Sequence, residues 1–226
     1  MPRNTADLKT LAVVLRRTNY GEADRILNLI TPVGKIAVIA KGVRRARSKL
    51  AGGIEMFCLS EIQIHQGRGK LGVVTSARMV RHYSGILQSY ERMELAGLIL
   101  KKVSMAAEHA EGPEYFELTR QCLEELNNET NVALIESWFW LNLLRIGGEE
   151  VNLYRDAAGE KLAEGKSYDW DGYERNFYLD GSGLYGTNEI KLMRLMSKMS
   201  LAAIKKIKVE QDTIDRVYDI IRLWEN

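Results

Sequence analysis

The stretch from Ile36 to Ile64 reads IAVIAKGVRRARSKLAGGIEMFCLSEIQI and places a cluster of cations between two apolar runs. Its centre, KGVRRARSKLAGG from Lys41 to Gly53, holds five Lys and Arg residues within nine positions and no acid. The flanking runs, Ile36 to Ala40 and Met56 to Ile64, have the apolar character of strands, and the glycine pair between them disfavours a long helix. We therefore predict that Lys41 to Gly53, called the basic loop below, connects two strands.

The composition of the basic loop indicates a partner with negative charge. Acids usually interleave with cations on a face that is merely solvated, and here they are missing. A loop that contacts phosphate groups on a β-scaffold is therefore the favoured interpretation. A solvated surface and a contact with an acidic protein remain alternatives.

Strand-like segments surround the basic loop and together predict a small barrel. In the fourth segment the apolar positions change from odd, at Leu59, to even, at Ile62, and this change of phase predicts a β-bulge. Five short strands with a bend and a long loop are typical of a closed barrel, and the oligonucleotide-binding (OB) fold is the leading candidate. The predicted strands are Leu11–Leu15, Ile26–Ile30, Ile36–Ala40, Phe57–Ile64 and Leu71–Ala77.

From about Tyr83 the apolar period becomes helical, so the predicted fold class is α+β, with an OB barrel at residues 1–80 and an all-α bundle at 81–226. The segment from Val132 to Ile146 is apolar nearly all round and is predicted to be a buried helix, with Trp138 and Trp140 in the core. Residues 149–186 lose periodicity and read as an irregular, cysteine-free insertion. A hairpin between residues 168–170 and 177–179 is the regular element that it could form.

The net charge of +2 conceals a division along the chain. Residues 1–83 hold 15 Lys/Arg and 5 Asp/Glu, whereas residues 84–226 hold 17 and 25. Such asymmetry indicates a nucleic-acid-facing part joined to a part with another task. The two cysteines, Cys58 and Cys122, are far apart in apolar patterns and are predicted to be buried thiols in a reducing compartment, which is typical of a cytoplasmic protein.

Patterns that indicate enzymes or metal sites are weak in this chain. Gly67 to Gly72 spells GxGxxG, but Val73 and Val74 follow it, and a dinucleotide site needs a helix there. None of the three histidines pairs with a cysteine at ligand spacing, and no GxSxG elbow occurs. We therefore predict a protein that is not an enzyme and that carries no cofactor and no metal.

Aromatic residues are scarce in the first 80 positions, where only Tyr20 and Phe57 occur. Proteins that bind single strands usually stack bases on aromatic rings. With so few rings, nucleic acid would be held mainly by its phosphate backbone. Weak sequence preference and steep salt dependence follow from that prediction.

Residues 15–57, LRRTNYGEADRILNLITPVGKIAVIAKGVRRARSKLAGGIEMF, resemble the N-terminal part of the RecO family of bacterial recombination mediators. The matching features are Tyr20 to Asp24, the turn from Thr31 to Gly34, Ala40 to Gly42 with its basic continuation, Ser48, and the strand at Phe57. The helical part is similar to the family in its arrangement of helices. Two further similarities are the Gly147–Gly148 pair, which is predicted to end a helix, and the segment from Ile190 to Leu195.

The resemblance implies an OB barrel followed by a helical bundle, and a role without catalysis. It implies binding of single- and double-stranded DNA, annealing of complementary strands, and assistance in loading RecA onto DNA coated by single-strand-binding protein (SSB). The implied partners are RecR and the C-terminal tail of SSB, and the implied location is the nucleoid. Many relatives carry a four-cysteine zinc finger after the central helix, whereas residues 149–186 contain no cysteine, so we expect that the zinc is absent.

Under this hypothesis the cations of the basic loop and its neighbours contact phosphate groups. The alternative is a protein-interaction scaffold whose basic barrel docks an acidic partner. The predicted DNA-binding residues are Arg16, Arg17, Lys35, Lys41, Arg44, Arg45, Arg47, Lys49, Arg68 and Lys70.

Overall fold

The computed structural model of the chain describes residues 7–67, 71–128 and 131–224. Its first part is a closed five-stranded barrel in which the strands follow each other in the order β1-β2-β3-β5-β4. β4 pairs back to β1, and β3 pairs with β5 in parallel, which closes the sheet. The predicted α+β class with an OB-like barrel is therefore confirmed. The strands are β1 (Asp7–Tyr20), β2 (Asp24–Thr31), β3 (Gly34–Ala40), β4 (Cys58–His65) and β5 (Gly72–His82).

β1 is longer than the sequence pattern predicted, because it serves two neighbours. Its first half, from Asp7 to Val13, pairs with β4, and its second half, from Val13 to Tyr20, pairs with β2. The register shifts between Val14 and Arg16, and a bulge of this kind bends a strand so that it can change partner. The bulge predicted in β4 lies in its partner instead: Leu59 and Ser60 pair with Arg81 and Met79, so the extra residue is Val80 of β5.

The turn between β2 and β3 has the geometry that its Thr-Pro-Val-Gly sequence predicts. The Thr31 hydroxyl donates to the Gly34 carbonyl oxygen at 2.8 Å, and Gly34 has a φ of 112°. A Cβ at Gly34 would lie 2.4 Å from the carbonyl oxygen of Ala110. Only glycine allows both this φ and this close backbone approach.

The contacts of the chain form two compact units, one up to Asn127 and one from Asn128, and each is described here by itself. The first unit contains α1 and α2, which pack against β1, in addition to the barrel. The predicted division at residue 80 falls within β5 and stays a prediction. The helices are α1 (Tyr90–Ala106), α2 (Glu114–Asn127), α3 (Val132–Ile146), α4 (Thr187–Lys198), α5 (Leu201–Ile204) and α6 (Gln211–Arg222).

α3 is the centre of the second unit, as its all-round apolar sequence predicted. Trp138 is 3% exposed and Trp140 is 5% exposed, which confirms both as core residues. The Trp138 indole N–H donates to the Met199 carbonyl oxygen at 2.9 Å, and this bond ties α3 to the residue that follows α4. Asn131 caps α3, because its side-chain oxygen accepts from the Leu134 amide at 3.1 Å.

The insertion contains the expected hairpin, formed by β6 (Tyr168–Asp171) and β7 (Asn176–Leu179). Aromatic rings hold it in place: the Phe177 ring lies edge-on to Trp170 at 4.9 Å, and Trp170 lies 5.8 Å from Trp224 near the C-terminus. Aromatic pairs of this kind contribute about 0.5–1.5 kcal/mol each beyond the area that they bury.

Residues 149–186 do not fit the four-cysteine zinc finger that the family resemblance raised. The insertion has no cysteine, and both cysteines of the chain are buried in the first unit. Within the described residues, no group of three or more His, Cys, Asp or Glu is placed to hold a metal ion. Within the same ranges, no helix has the length and apolar character needed to cross a bilayer.

Candidate nucleic-acid interface

The basic loop is fastened to the barrel by one of its own apolar residues. Val43 is 3% exposed and packs with Val38 and Ala40 in the barrel core. At the far end of the loop, Gly53 is buried so closely against Ala77 that a Cβ would lie 2.4 Å from its backbone carbonyl. The loop is therefore a defined part of the barrel, with both ends held by packing.

Hydrogen bonds fix the same loop to the turn between β1 and β2. The Gly42 amide donates to Asp24 Oδ1 at 2.7 Å, and the Arg44 amide donates to the Ala23 carbonyl at 2.8 Å. The Arg44 guanidinium also reaches the Gly21 carbonyl at 3.3 Å. Gly42 has a φ of 64°, a conformation that suits glycine and that turns the chain as it leaves β3.

With its anchors turned inward, the loop presents its cations to solvent. Among the described residues, no carboxylate forms an ion pair with any of the five loop cations. Five exposed cations on a short, fixed segment create a positive potential that attracts a polyanion. These exposed side chains are Lys41, Arg44, Arg45, Arg47 and Lys49.

Two of the candidate cations on the barrel strands, unlike those of the basic loop, are bound to other groups of the protein. Arg17 donates to Glu55 Oε2 at 2.6 Å, and Lys35 donates to the Ser104 carbonyl at 2.7 Å and is ion-paired with Glu108. The Lys35 side chain is 13% exposed, so it is largely withdrawn from solvent. Both cations therefore have structural partners in the first unit.

Arg16 is exposed and lies at a polar groove where the barrel meets the end of α1. The groove has a volume of about 430 Å³, and Asn28, Lys35 and Glu108 also line it. The carboxylate of Glu108 makes this groove less favourable for phosphate than the acid-free loop. Arg16 is the strand candidate that remains open to a ligand.

The ion pairs of the strands also affect the carboxylates that take part in them. The hydrogen bond from Lys35 holds the pKa of Glu108 below its usual value. The pKa of Glu61 is lowered in the same way, first by Lys9 and then by Arg78. These carboxylates stay ionised at neutral pH, and their cationic partners stay engaged with them.

Arg68 and Lys70 lie outside the described residues, so their place relative to the loop is not assigned. The GxGxxG pattern from Gly67 to Gly72 is followed by strand β5. A dinucleotide site needs a helix at that point, so this pattern does not form one.

Tyr20 is a residue to which sequence reasoning assigned no role. It ends β1 directly before Gly21, whose carbonyl the Arg44 guanidinium contacts, and it is 56% exposed. An exposed ring beside a cationic loop is a platform on which one base could stack. The available signal was that Tyr20 is one of two aromatic residues in the first 80, and the bond from Arg44 to the neighbouring Gly21 is what connects this part of the chain to the loop.

Comparison with known proteins agrees with this architecture. The family model described as "Recombination protein O N terminal" matches residues 5–83, and "Recombination protein O C terminal" matches residues 88–225. A DNA repair protein RecO of Dehalococcoides mccartyi is 29% identical over 233 residues, covering 96% of this chain and 88% of that protein.

Two further relatives share the same name. The DNA repair protein RecO of Roseiflexus sp. is 30% identical over 205 residues, covering 90% of this chain and 69% of that protein. The DNA repair protein RecO of Listeria innocua is 24% identical over 233 residues, covering 93% and 88%. Because the two family models together match nearly the whole chain, the chain belongs to the RecO family.

Proposed function

We propose that this RecO-family chain acts in DNA repair as a recombination mediator. In this proposal it binds single- and double-stranded DNA through the basic loop, anneals complementary strands, and assists the loading of RecA onto SSB-coated DNA. The relatives that carry the name DNA repair protein RecO support the repair role. The finer activities rest on the geometry of the loop and on the family resemblance.

The observation that carries the proposal is the set of five exposed loop cations without acidic partners among the described residues. A phosphate that meets Lys or Arg releases condensed counterions, and this release supplies affinity without reading sequence. Because Val43 and Gly42 fix the loop, little conformational entropy is lost when a strand binds.

Annealing follows from the same charges. Two DNA strands repel each other, and a cationic surface reduces that repulsion while it holds the phosphates. Residues 1–80 contain just two aromatic residues, Tyr20 and Phe57, so most bases of a strand bound to the barrel are not stacked on protein. Bases that are not held by protein remain available to pair with a second strand.

The proposal includes RecR and the C-terminal tail of SSB as partners, and the resemblance to the family supports both. It also holds that the chain works in the cytoplasm near the nucleoid, without catalysis and without a cofactor. Residues 84–226 are net negative, so an acidic tail would need a local pocket of Lys or Arg and apolar side chains there.

Fluorescence anisotropy of a labelled single-stranded oligonucleotide over a salt series tests the proposal. The comparison is wild type against Arg44→Glu/Arg45→Glu/Arg47→Glu. Each phosphate contact contributes about 0.7 to the slope of log affinity against log salt for a single strand. The triple variant should therefore lose about 2 from that slope, with a loss of affinity of at least tenfold at low salt.

A matched control reverses three exposed cations elsewhere, in Lys101→Glu/Lys166→Glu/Arg222→Glu. It changes the net charge by the same amount and should retain most of the affinity. If both triple variants bind as wild type does, the loop does not bind phosphate. The basic barrel would then serve as a docking surface for an acidic protein, which is the alternative function.

A further inference from the structure

A second acid-free basic segment lies in the otherwise acidic second unit. Residues 128–226 hold 13 Lys/Arg and 17 Asp/Glu, yet six of those 13 cations fall between Ile190 and Val209, where no acid occurs. A face that is merely solvated mixes the two signs, so this separation of charge is unusual for a net negative unit. The six are Lys191, Arg194, Lys198, Lys205, Lys206 and Lys208.

The structure places part of this segment on one face of α4 beside an exposed aromatic ring. Arg194 and Lys198 are separated by about one helical turn and meet the ring of Tyr154, at 4.9 Å from Arg194 Cζ and 5.1 Å from Lys198 Nζ. The Arg194 guanidinium also donates to the Leu153 carbonyl at 2.7 Å, which fixes the position of the ring. Tyr154 is nevertheless 49% exposed.

The acids closest to this face in the chain leave most of its charge available. Glu164 pairs with Lys191 at 2.7 Å. Glu189 is 5% exposed, accepts from the Gly186 amide at 2.9 Å and lies 3.7 Å from Arg216. Beyond α5, the side chains of Lys206 and Lys208 are exposed.

We infer that Tyr154, Arg194 and Lys198, called the α4 surface, bind single-stranded DNA, with Lys206 and Lys208 extending the contact along the strand. The exposed part of the ring offers a base a stacking surface, and the cations that lie over the ring contact the adjacent phosphates. An acidic protein would use the cations but would have no need of the ring that they lie over. The inference rests on the proposed function and gives it a second strand site, so that the loop and the α4 surface each hold one strand during annealing.

The test uses the full chain and the pair Lys198→Glu/Lys206→Glu. The control is Lys166→Glu/Arg222→Glu in the same unit. Lys198 and Arg222 both lie in the last turn of a helix, so the helix-end cost is matched. Binding of a labelled single strand is measured by anisotropy, and annealing of complementary strands is measured by fluorescence energy transfer.

We expect that Lys198→Glu/Lys206→Glu anneals strands at least threefold more slowly than the control. In the background of the loop triple variant, it should further weaken the residual single-strand binding and lower its salt slope by about 1.4. Tyr154→Ala should weaken that residual binding, and Tyr154→Phe should preserve it because the ring remains.

The outcomes separate this inference from the proposed function. If wild type binds no single strand, the proposed function fails. If wild type binds and the loop variant loses all binding, while the Lys198→Glu/Lys206→Glu variant anneals as its control does, the proposed function stands and the α4 surface does not bind DNA. If Tyr154→Ala binds as wild type does while the charge variant is defective, the surface holds phosphates by charge alone, and the inferred stacking of a base on Tyr154 is wrong.

Discussion

The cations of the barrel strands and those of the basic loop are alike in sequence but different in structure. Arg17 and Lys35 are bound to Glu55 and Glu108, at the edge of the barrel and at the end of α1. Lys41 and Arg47 point to solvent, with no carboxylate partner among the described residues. One group contributes to the fold of the first unit, and the other is available to a ligand.

The difference shows that a count of basic residues overestimates the number of cations that are available to bind phosphate. An ion-paired cation must give up its partner before it can neutralise a phosphate, so it adds little to affinity. The candidates best suited to DNA are therefore the loop cations and Arg16. Arg17 and Lys35 stay predictions, with structural contacts that compete with DNA.

The largest expected effect is on the free energy of unfolding, and it comes from Val43, whose buried side chain holds the basic loop against the barrel core. Val43→Asp puts a carboxylate into the apolar barrel core and should lower the free energy of unfolding by about 3 kcal/mol or more. Lys41→Asp introduces the same residue two positions earlier at an exposed site and should change stability little. Urea unfolding measures both, and equal midpoints for the two variants would show that Val43 does not anchor the loop.

A smaller effect is expected from Lys35→Gln, which removes a cation with structural contacts. Loss of the charge-assisted bond to the Ser104 carbonyl should cost about 1.5–3 kcal/mol in urea unfolding, with little change in the salt slope of DNA binding. Lys101→Gln, an exposed change on the same helix as Ser104, is the control. A slope that falls as it does for a loop cation would place Lys35 in the DNA site.

The Lys35→Gln variant should also change how the stability of the chain depends on pH. The hydrogen bond from Lys35 lowers the pKa of Glu108 below its usual value, so the ion pair stabilises the folded chain above the unfolded pKa of that carboxyl. This stabilisation is lost as the pH falls through the lowered folded pKa. The stability difference between wild type and Lys35→Gln should therefore be largest near neutral pH and shrink in acid, and a difference that does not fall on acidification would contradict the assignment.

The smallest expected effects on stability come from two single substitutions, which compare one strand cation with one loop cation. Arg17→Gln removes a partly exposed ion pair and should cost about 1 kcal/mol or less, with the salt slope unchanged. Lys41→Gln should leave stability unchanged and lower the slope by about 0.7. Equal slopes for the two variants would remove the distinction between strand and loop cations.

Several features were predicted from the sequence because they depend on neighbouring residues. The all-round apolar pattern of Val132–Ile146 predicted the central helix with its bounds. The change of apolar phase from Leu59 to Ile62 predicted a bulge in β4, but the pairing places the extra residue in β5. The acid-free composition of the basic loop predicted its exposure. In each case the period or composition of a few residues carries the information.

Other features depend on contacts between residues far apart in the chain, and local sequence patterns do not predict such contacts. Arg17 meets Glu55 across 38 positions, and Lys35 meets Glu108 across 73. Arg194 and Lys198 reach Tyr154 only because the insertion returns to α4. No periodicity links such partners.

The sequence by itself determined the strand and helix pattern, the position of the basic loop and the absence of the four cysteines of a zinc finger. The tertiary structure decided which cations are paired, how Val43 fastens the loop, and that aromatic contacts hold the insertion. The reason is physical: local propensity and composition act between neighbours, whereas burial and ion pairing depend on which distant segments the closed barrel and the helices bring together.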